Sequence, residues 1–109
     1  MSIDVSDLAL SDAEITHLLI GREHCEVTLK LWDEKITTLI FTNTLAIEAF
    51  SPIGAEIEHC SEDRASPLIA RACATLEEDS AGITCYVFWS AVSSRPVLAI
   101  VAEEVRQRP

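Results

Sequence analysis

The chain has 109 residues and a net charge of −10, from 18 Asp and Glu against 8 Lys and Arg. Its 49% apolar content excludes a disordered chain, and only 3 Gly and 4 Pro exclude collagen-like or low-complexity structure. A surface this acidic repels phosphate backbones and anionic lipid, which argues against nucleic-acid and membrane-surface binding.

In chain order, Met1 to Asp7 carries two acids and no basic stretch, unlike a secretory signal. The longest apolar runs, such as Val97 to Ala102, fall far short of the roughly 20 residues that span a bilayer. The expected compartment is therefore the cytoplasm, where thiols stay reduced. Ser11 to Glu14 has the spacing of a helix capping box, yet Ile15, His17 and Leu19 alternate with Thr16 and Leu18. We read residues 12–20 as a strand, with Gly21-Arg22 as a tight turn. From Glu23 to Trp32, Cys25, Val27, Leu29 and Leu31 fall on one face, and Glu26, Thr28, Lys30 and Trp32 on the other. Asp33 to Lys35 breaks that pattern and Ile36 to Thr42 resumes it, which predicts a hairpin. Leu45, Ile47 and Ala49 form a third strand, closed by Ser51 to Gly54. Glu56 and Glu58 share one face of a short strand-like piece, and Glu62-Asp63 follow in a loop.

One helix is predicted from Ser66 to about Glu78. Ser66 is placed to accept an orphan N–H, and Pro67 suits the first helical position because its missing donor has no partner there. Leu68, Ile69, Ala72, Cys73 and Leu76 share one face. After it, Ile83 to Trp89 is apolar on both faces, the mark of a covered central strand, and Val97 to Val101 is another near-continuous apolar strand. The polar tail from Glu103 to Pro109 reads as frayed. Together these elements predict an α+β domain over 1–109: a mostly antiparallel twisted sheet of about six strands with the helix packed on one face.

The tripeptide Glu-His-Cys occurs twice, as Glu23-His24-Cys25 and Glu58-His59-Cys60. Neighbouring strand residues point to opposite faces, so His24 with Cys25, or His59 with Cys60, cannot readily hold one ion. Cys25, Cys60, Cys73 and Cys85 contain no C-x-x-C pair and read as buried hydrophobes. No phosphate-binding glycine loop, nucleophile elbow or EF-hand loop is present, so the sequence points to no catalytic residue, metal or cofactor. The acids are the better lead. Glu56, Glu58, Glu62 and Asp63 are the candidate contacts for a basic partner, with Trp32 beside Asp33 as a candidate apolar anchor.

Leu29 to Asp33, Leu39 to Asn43 and Leu98 to Glu104 give the chain a strand rhythm. In that rhythm, its size and its acidity it resembles small acidic bacterial domains of the toxin-immunity type. That resemblance implies an α+β fold with no catalytic site and a function in binding, with a basic toxin as the partner. No residue roles carry over from it. The expectation is thus a non-enzymatic acidic protein-binding domain. The alternatives are a homodimeric scaffold, favoured by apolar strand faces that one helix leaves uncovered, or a small-ligand binder or enzyme with a pocket under the sheet.

Overall fold

A computed structural model describes residues 3–108; Met1, Ser2 and Pro109, at the two ends of the sequence reading, lie outside them. The strands are β1 (Ala13–Ile20), β2 (His24–Lys30), β3 (Ile36–Thr42), β4 (Ala46–Ala49), β5 (Glu56–Asp63), β6 (Thr84–Ser90), β7 (Pro96–Ala102) and β8 (Glu104–Arg108). One α-helix, α1 (Pro67–Leu76), and a short 3-10 turn at Val5–Asp7 complete the elements. All eight strands belong to one antiparallel sheet in the order β4-β7-β6-β5-β1-β2-β3-β8.

This corrects the expected six-strand α+β layer: the fold is mostly sheet, with eight strands and a single ten-residue helix. The connections give the reason. β3 and β4 stand six strand spacings apart in the order, which in a flat sheet is about 29 Å at ~4.8 Å per strand. Thr42 and Ala46 are only four residues apart, a reach of about 14 Å. β7 and β8 stand equally far apart and are joined by Glu103 alone. The sheet therefore rolls up until its two ends meet. β3–β4 is one long bent strand, and it runs antiparallel to a second, β7–β8.

The two bends hold each other. Asn43 sits at φ 50°, in the left-handed region that Asn tolerates better than most residues. Its Nδ2 donates to Glu103 Oε2 at 3.2 Å, and the Glu103 N–H donates to Thr42 O at 3.0 Å. Just past the corner, the Leu45 N–H donates to Val101 O at 2.8 Å. The ladder thus carries through the bend.

Rolling the sheet puts the main core inside it. Ile15, Val27, Leu29, Leu39, Phe41, Ile57, Phe88, Leu98, Ile100 and Val105 are all fully buried in one cluster. Phe41 meets Tyr86 and Phe88 edge to face, with ring centroids 5.1 and 6.2 Å apart. The segment before β1 packs on that core with Val5 and Leu10 buried, and the Ile3 N–H donates to Val105 O at 3.0 Å. A second, smaller core lies outside the sheet, where Ile69, Ala72 and Cys73 of α1 cover Cys85, Val87, Ala99 and Val101. Strands β6 and β7 therefore bury both faces, one against the interior and one against the helix.

Local signals land close to their predicted places. Residues 13–20 are strand rather than helix, and Asp12, at φ 65°, donates its N–H to Ile57 O. The Gly21 N–H donates to His24 O at 2.8 Å, closing the predicted tight turn between β1 and β2. Ser66 Oγ accepts from the Leu68 N–H at 3.2 Å with Pro67 following, and Glu77, left-handed at φ 55°, ends α1. Three boundaries differ. The tail does not fray but forms β8 on β3, Glu62-Asp63 are strand residues of β5, and β2 ends at Lys30, leaving Trp32 in a turn.

The corner is open to test. Valine at position 43 forces a β-branched residue into a left-handed conformation, so Asn43→Val should cost about 1–2 kcal/mol. Asn43→Gly keeps that conformation and loses only the Glu103 contact, so it should cost less. Urea unfolding of both variants checks the ranking, and equal losses would contradict the role of the bend.

Candidate binding surface

Charge is distributed unevenly over the fold. Between Ala46 and Gly82, which spans β4, β5 and α1, there are eight acids: Glu48, Glu56, Glu58, Glu62, Asp63, Glu77, Glu78 and Asp79. Only Arg64 and Arg71 oppose them there. Of the other six cations, Lys30, Lys35, Arg106 and Arg108 belong to β2, its turn into β3, and β8, whereas Arg22 and Arg95 sit in turns that line recesses beside β4. Among the described residues the ion pairs within 4 Å are Lys35–Asp33 and Arg108–Glu26, with His24 Nε2 also 3.5 Å from Glu26 Oε2, so none falls on β4, β5 or α1. The segment therefore carries a net negative charge, whose field reaches about a Debye length, ~8 Å, in physiological salt.

The four acids proposed from sequence share β5 but not one patch. From Glu56 to Glu62 the strand covers about 20 Å at ~3.3 Å per residue. Glu56 lies directly across from Glu14 of β1, a like-charge pair. The register against β6 shifts between Ile57 and His59, so Glu58 is an extra residue in a bulge. Glu58 and His59 are consequently both exposed, between the inward Ile57 and Cys60. Glu62 is opposite Tyr86, on the side of the interior, whereas Asp63 is opposite Cys85, on the side of the helix. Asp63 Oδ1 accepts the Ala65 N–H at 2.9 Å, which shapes the turn into α1.

Glu62 has a distinct environment. It shares a recess of about 520 Å3 with Asp4, Val5, Leu8 and residues His59 to Ser61. Partial burial, then the Asp4 carboxyl beside it, push the Glu62 carboxyl above the usual range; Val5 N–H and Arg64 pull the other way. Above it on the outer face, His59 stacks on Trp89 with ring centroids 6.0 Å apart, and Trp89 Nε1 donates to Ser61 Oγ at 2.9 Å.

Trp32, the candidate anchor, is 71% exposed in the turn after β2, and β2 is separated from β5 by β1. The structure therefore sets the aromatic apart from the acids of β5. The two Glu-His-Cys triplets place Cys25 and Cys60 inside, with His24 and His59 exposed. Among the described residues no three His, Cys, Asp or Glu side chains group as metal ligands would. Sequence reasoning missed Glu48 and the single-sided pairing of β4 that exposes it. Glu48 alternates with Ile47 and Ala49 and so was visible as an outward residue, but which edge stays open depends on the closure.

Two measurements follow from these environments. Burial raises the Cys25 thiol to about 11 and pushes Cys60 and Cys85 upward as well, so little thiolate exists at pH 8. All four thiols are free and buried, and a disulfide-exchange reagent should label them only as the protein opens; rapid labelling of Cys60 in native buffer would contradict this. Glu62 has a raised folded pKa, so its stabilising contribution is present at acid pH and lost as pH rises through that value. Glu62→Gln should therefore raise the melting temperature at pH 7, with the gain shrinking towards pH 4; a gain that grows on acidification would reverse the assignment. No protein-family model matches the chain, and no curated protein or solved structure matches it at a significant level.

Proposed function

We propose that the chain is a non-enzymatic binding domain that engages a basic protein through the face carrying β4, β5 and α1. The observation that carries this reading is the charge balance of the β4–β5–α1 segment: eight acids against Arg64 and Arg71, with Arg22 and Arg95 beside β4 and no ion pair among the described residues of β4, β5 or α1. Complementary potentials of this kind accelerate encounter and select against acidic competitors. The resemblance to immunity-type domains makes a basic toxin the partner of choice, neutralised by occupation of its cationic surface. Four free, buried thiols agree with a reducing compartment such as the cytoplasm. No helix among the described residues is long and apolar enough to cross a membrane.

The test is capture from a lysate of the source organism, with identification of what is held. A single cationic protein should be retained at 50 mM salt and released at 500 mM. The double reversal of Glu58→Lys and Asp63→Lys should slow association at least five-fold. Trp32→Ala should change it less than two-fold, because that side chain stands apart from the acidic face. Retention of a neutral or acidic protein, or retention indifferent to salt and to the reversals, would contradict the reading.

A further inference from the structure

Two strands pair on one side only, β4 and β8, and they are not alike. An open sheet edge invites pairing with another chain unless charge, proline or a covering segment blocks it. β8 is blocked: it carries Arg106, Gln107 and Arg108, and its Val105 O already accepts the Ile3 N–H. β4 reads Ala-Ile-Glu-Ala, with no proline and no lysine. Its end is exposed at Glu48 and Ala49.

The pairing register shows which backbone groups β4 offers. The Phe50 N–H donates to Val97 O at 2.9 Å, and the register pairs Ala46 with Val101 and Glu48 with Ala99. In an antiparallel ladder the hydrogen-bonding direction alternates, so Ala46, Glu48 and Phe50 face β7. Ile47 and Ala49 turn their N–H and C=O groups to the open edge.

Beside that edge runs a groove of about 320 Å3 between β4 and α1, lined by Ala46, Glu48, Leu68, Arg71, Ala72 and Leu76. Beyond Leu68 it is followed by a smaller recess of about 190 Å3 that includes Glu48, Asp63 and Trp89. At the other end, Leu76 is followed directly by Glu77 and Glu78. The floor is thus apolar and acids stand at both ends; Arg71 is the one cation in this lining, and Arg22 and Arg95 line neighbouring recesses along β4. A strand edge flanked by a helix groove binds extended segments by backbone pairing, with alternate side chains filling the groove.

We propose that β4 is a docking edge, where an extended segment of a basic partner, apolar at its centre and cationic at its flanks, adds as a further strand between β4 and α1. This rests on the basic-partner reading and specifies how the partner is held. A second copy of the chain is the weaker occupant, because it would bring another net charge of −10 against Glu48 and Glu77.

The probe is a nine-residue peptide, Lys-Val-Arg-Val-Thr-Val-Lys-Val-Arg, titrated into the isotope-labelled chain. Amide exchange at Ile47 and Ala49 should slow at least ten-fold on saturation, with little change at Glu48 and Phe50, already paired to β7. Ala49→Pro removes an edge donor and leaves the β7 ladder intact, so binding should fall at least ten-fold while the Glu48 and Phe50 amides stay protected. The same peptide N-methylated on alternate residues keeps the protein unaltered and should also fail to bind. Glu48→Lys should weaken binding at least five-fold. Undiminished binding to Ala49→Pro, or by the N-methylated peptide, would overturn the edge. So would protection of Ile47 and Ala49 without peptide together with a dimer in sedimentation, since the second copy would then own the site. Peptide binding at β4 with no basic protein captured from the lysate would remove the basic-partner reading and leave the edge standing.

Discussion

The fold depends on one corner, where the bend at Asn43 meets the bend at Glu103. Two long strands, β3–β4 and β7–β8, turn there together, and the sheet can close only because both turn at the same level. Asn43 supplies the left-handed residue and bonds Glu103, while Thr42 O accepts the Glu103 N–H. Without that paired bend, a sheet of this order would leave β4 and β8 about 34 Å apart at ~4.8 Å per strand. The interior cluster of Phe41, Phe88, Ile15 and Leu98 would then lack its facing wall.

Closure also decides where the surface stays unfinished. Because each bent strand changes neighbours at the corner, its outer arm keeps a single partner. One such arm, β8, is edged by arginines and met by Ile3; the other, β4, lies beside α1 in the acidic half. The helix needs its position for a separate reason. Strands β6 and β7 are apolar on the outside as well, and Ile69, Ala72 and Cys73 remove Val87, Ala99 and Val101 from water. The same placement builds the wall of the groove. Architecture and candidate site therefore come from one set of apolar residues rather than from a dedicated motif.

Much of the local structure was legible in the sequence. The alternation of Cys25, Val27 and Leu29 gave away β2, and Ser66-Pro67 marked the start of α1. The continuous apolar run of Ile83 to Trp89 implied that β6 is covered twice, and β7 proves to be covered twice as well. What failed was longer in range. Nothing near Asn43 distinguishes a bend within one strand from a turn between two, since Asn serves both. Glu103 to Arg108 looked like a frayed tail because a strand edge guarded by charge has the composition of a solvated end. The bulges at Thr16 and at Glu58 shift which residues face out, and a strict period of two cannot anticipate them. For the binding surface, charge content was readable at once. Its division between the two halves of the sheet was not, and the separation of Trp32 from β5 follows from strand order alone.

The most direct test of this account is a set of nuclear Overhauser contacts read from one sample across the three junctions that closure requires. Backbone protons should meet between Phe41 and Val105, between Ile47 and Ile100, and between Ala13 and Ile57. All three together, with protected amides at Leu45 and Glu103, are what a rolled sheet predicts. The first two contacts without the third would mean a sheet open between β1 and β5, and the account of the core and of the β4 edge would then be wrong.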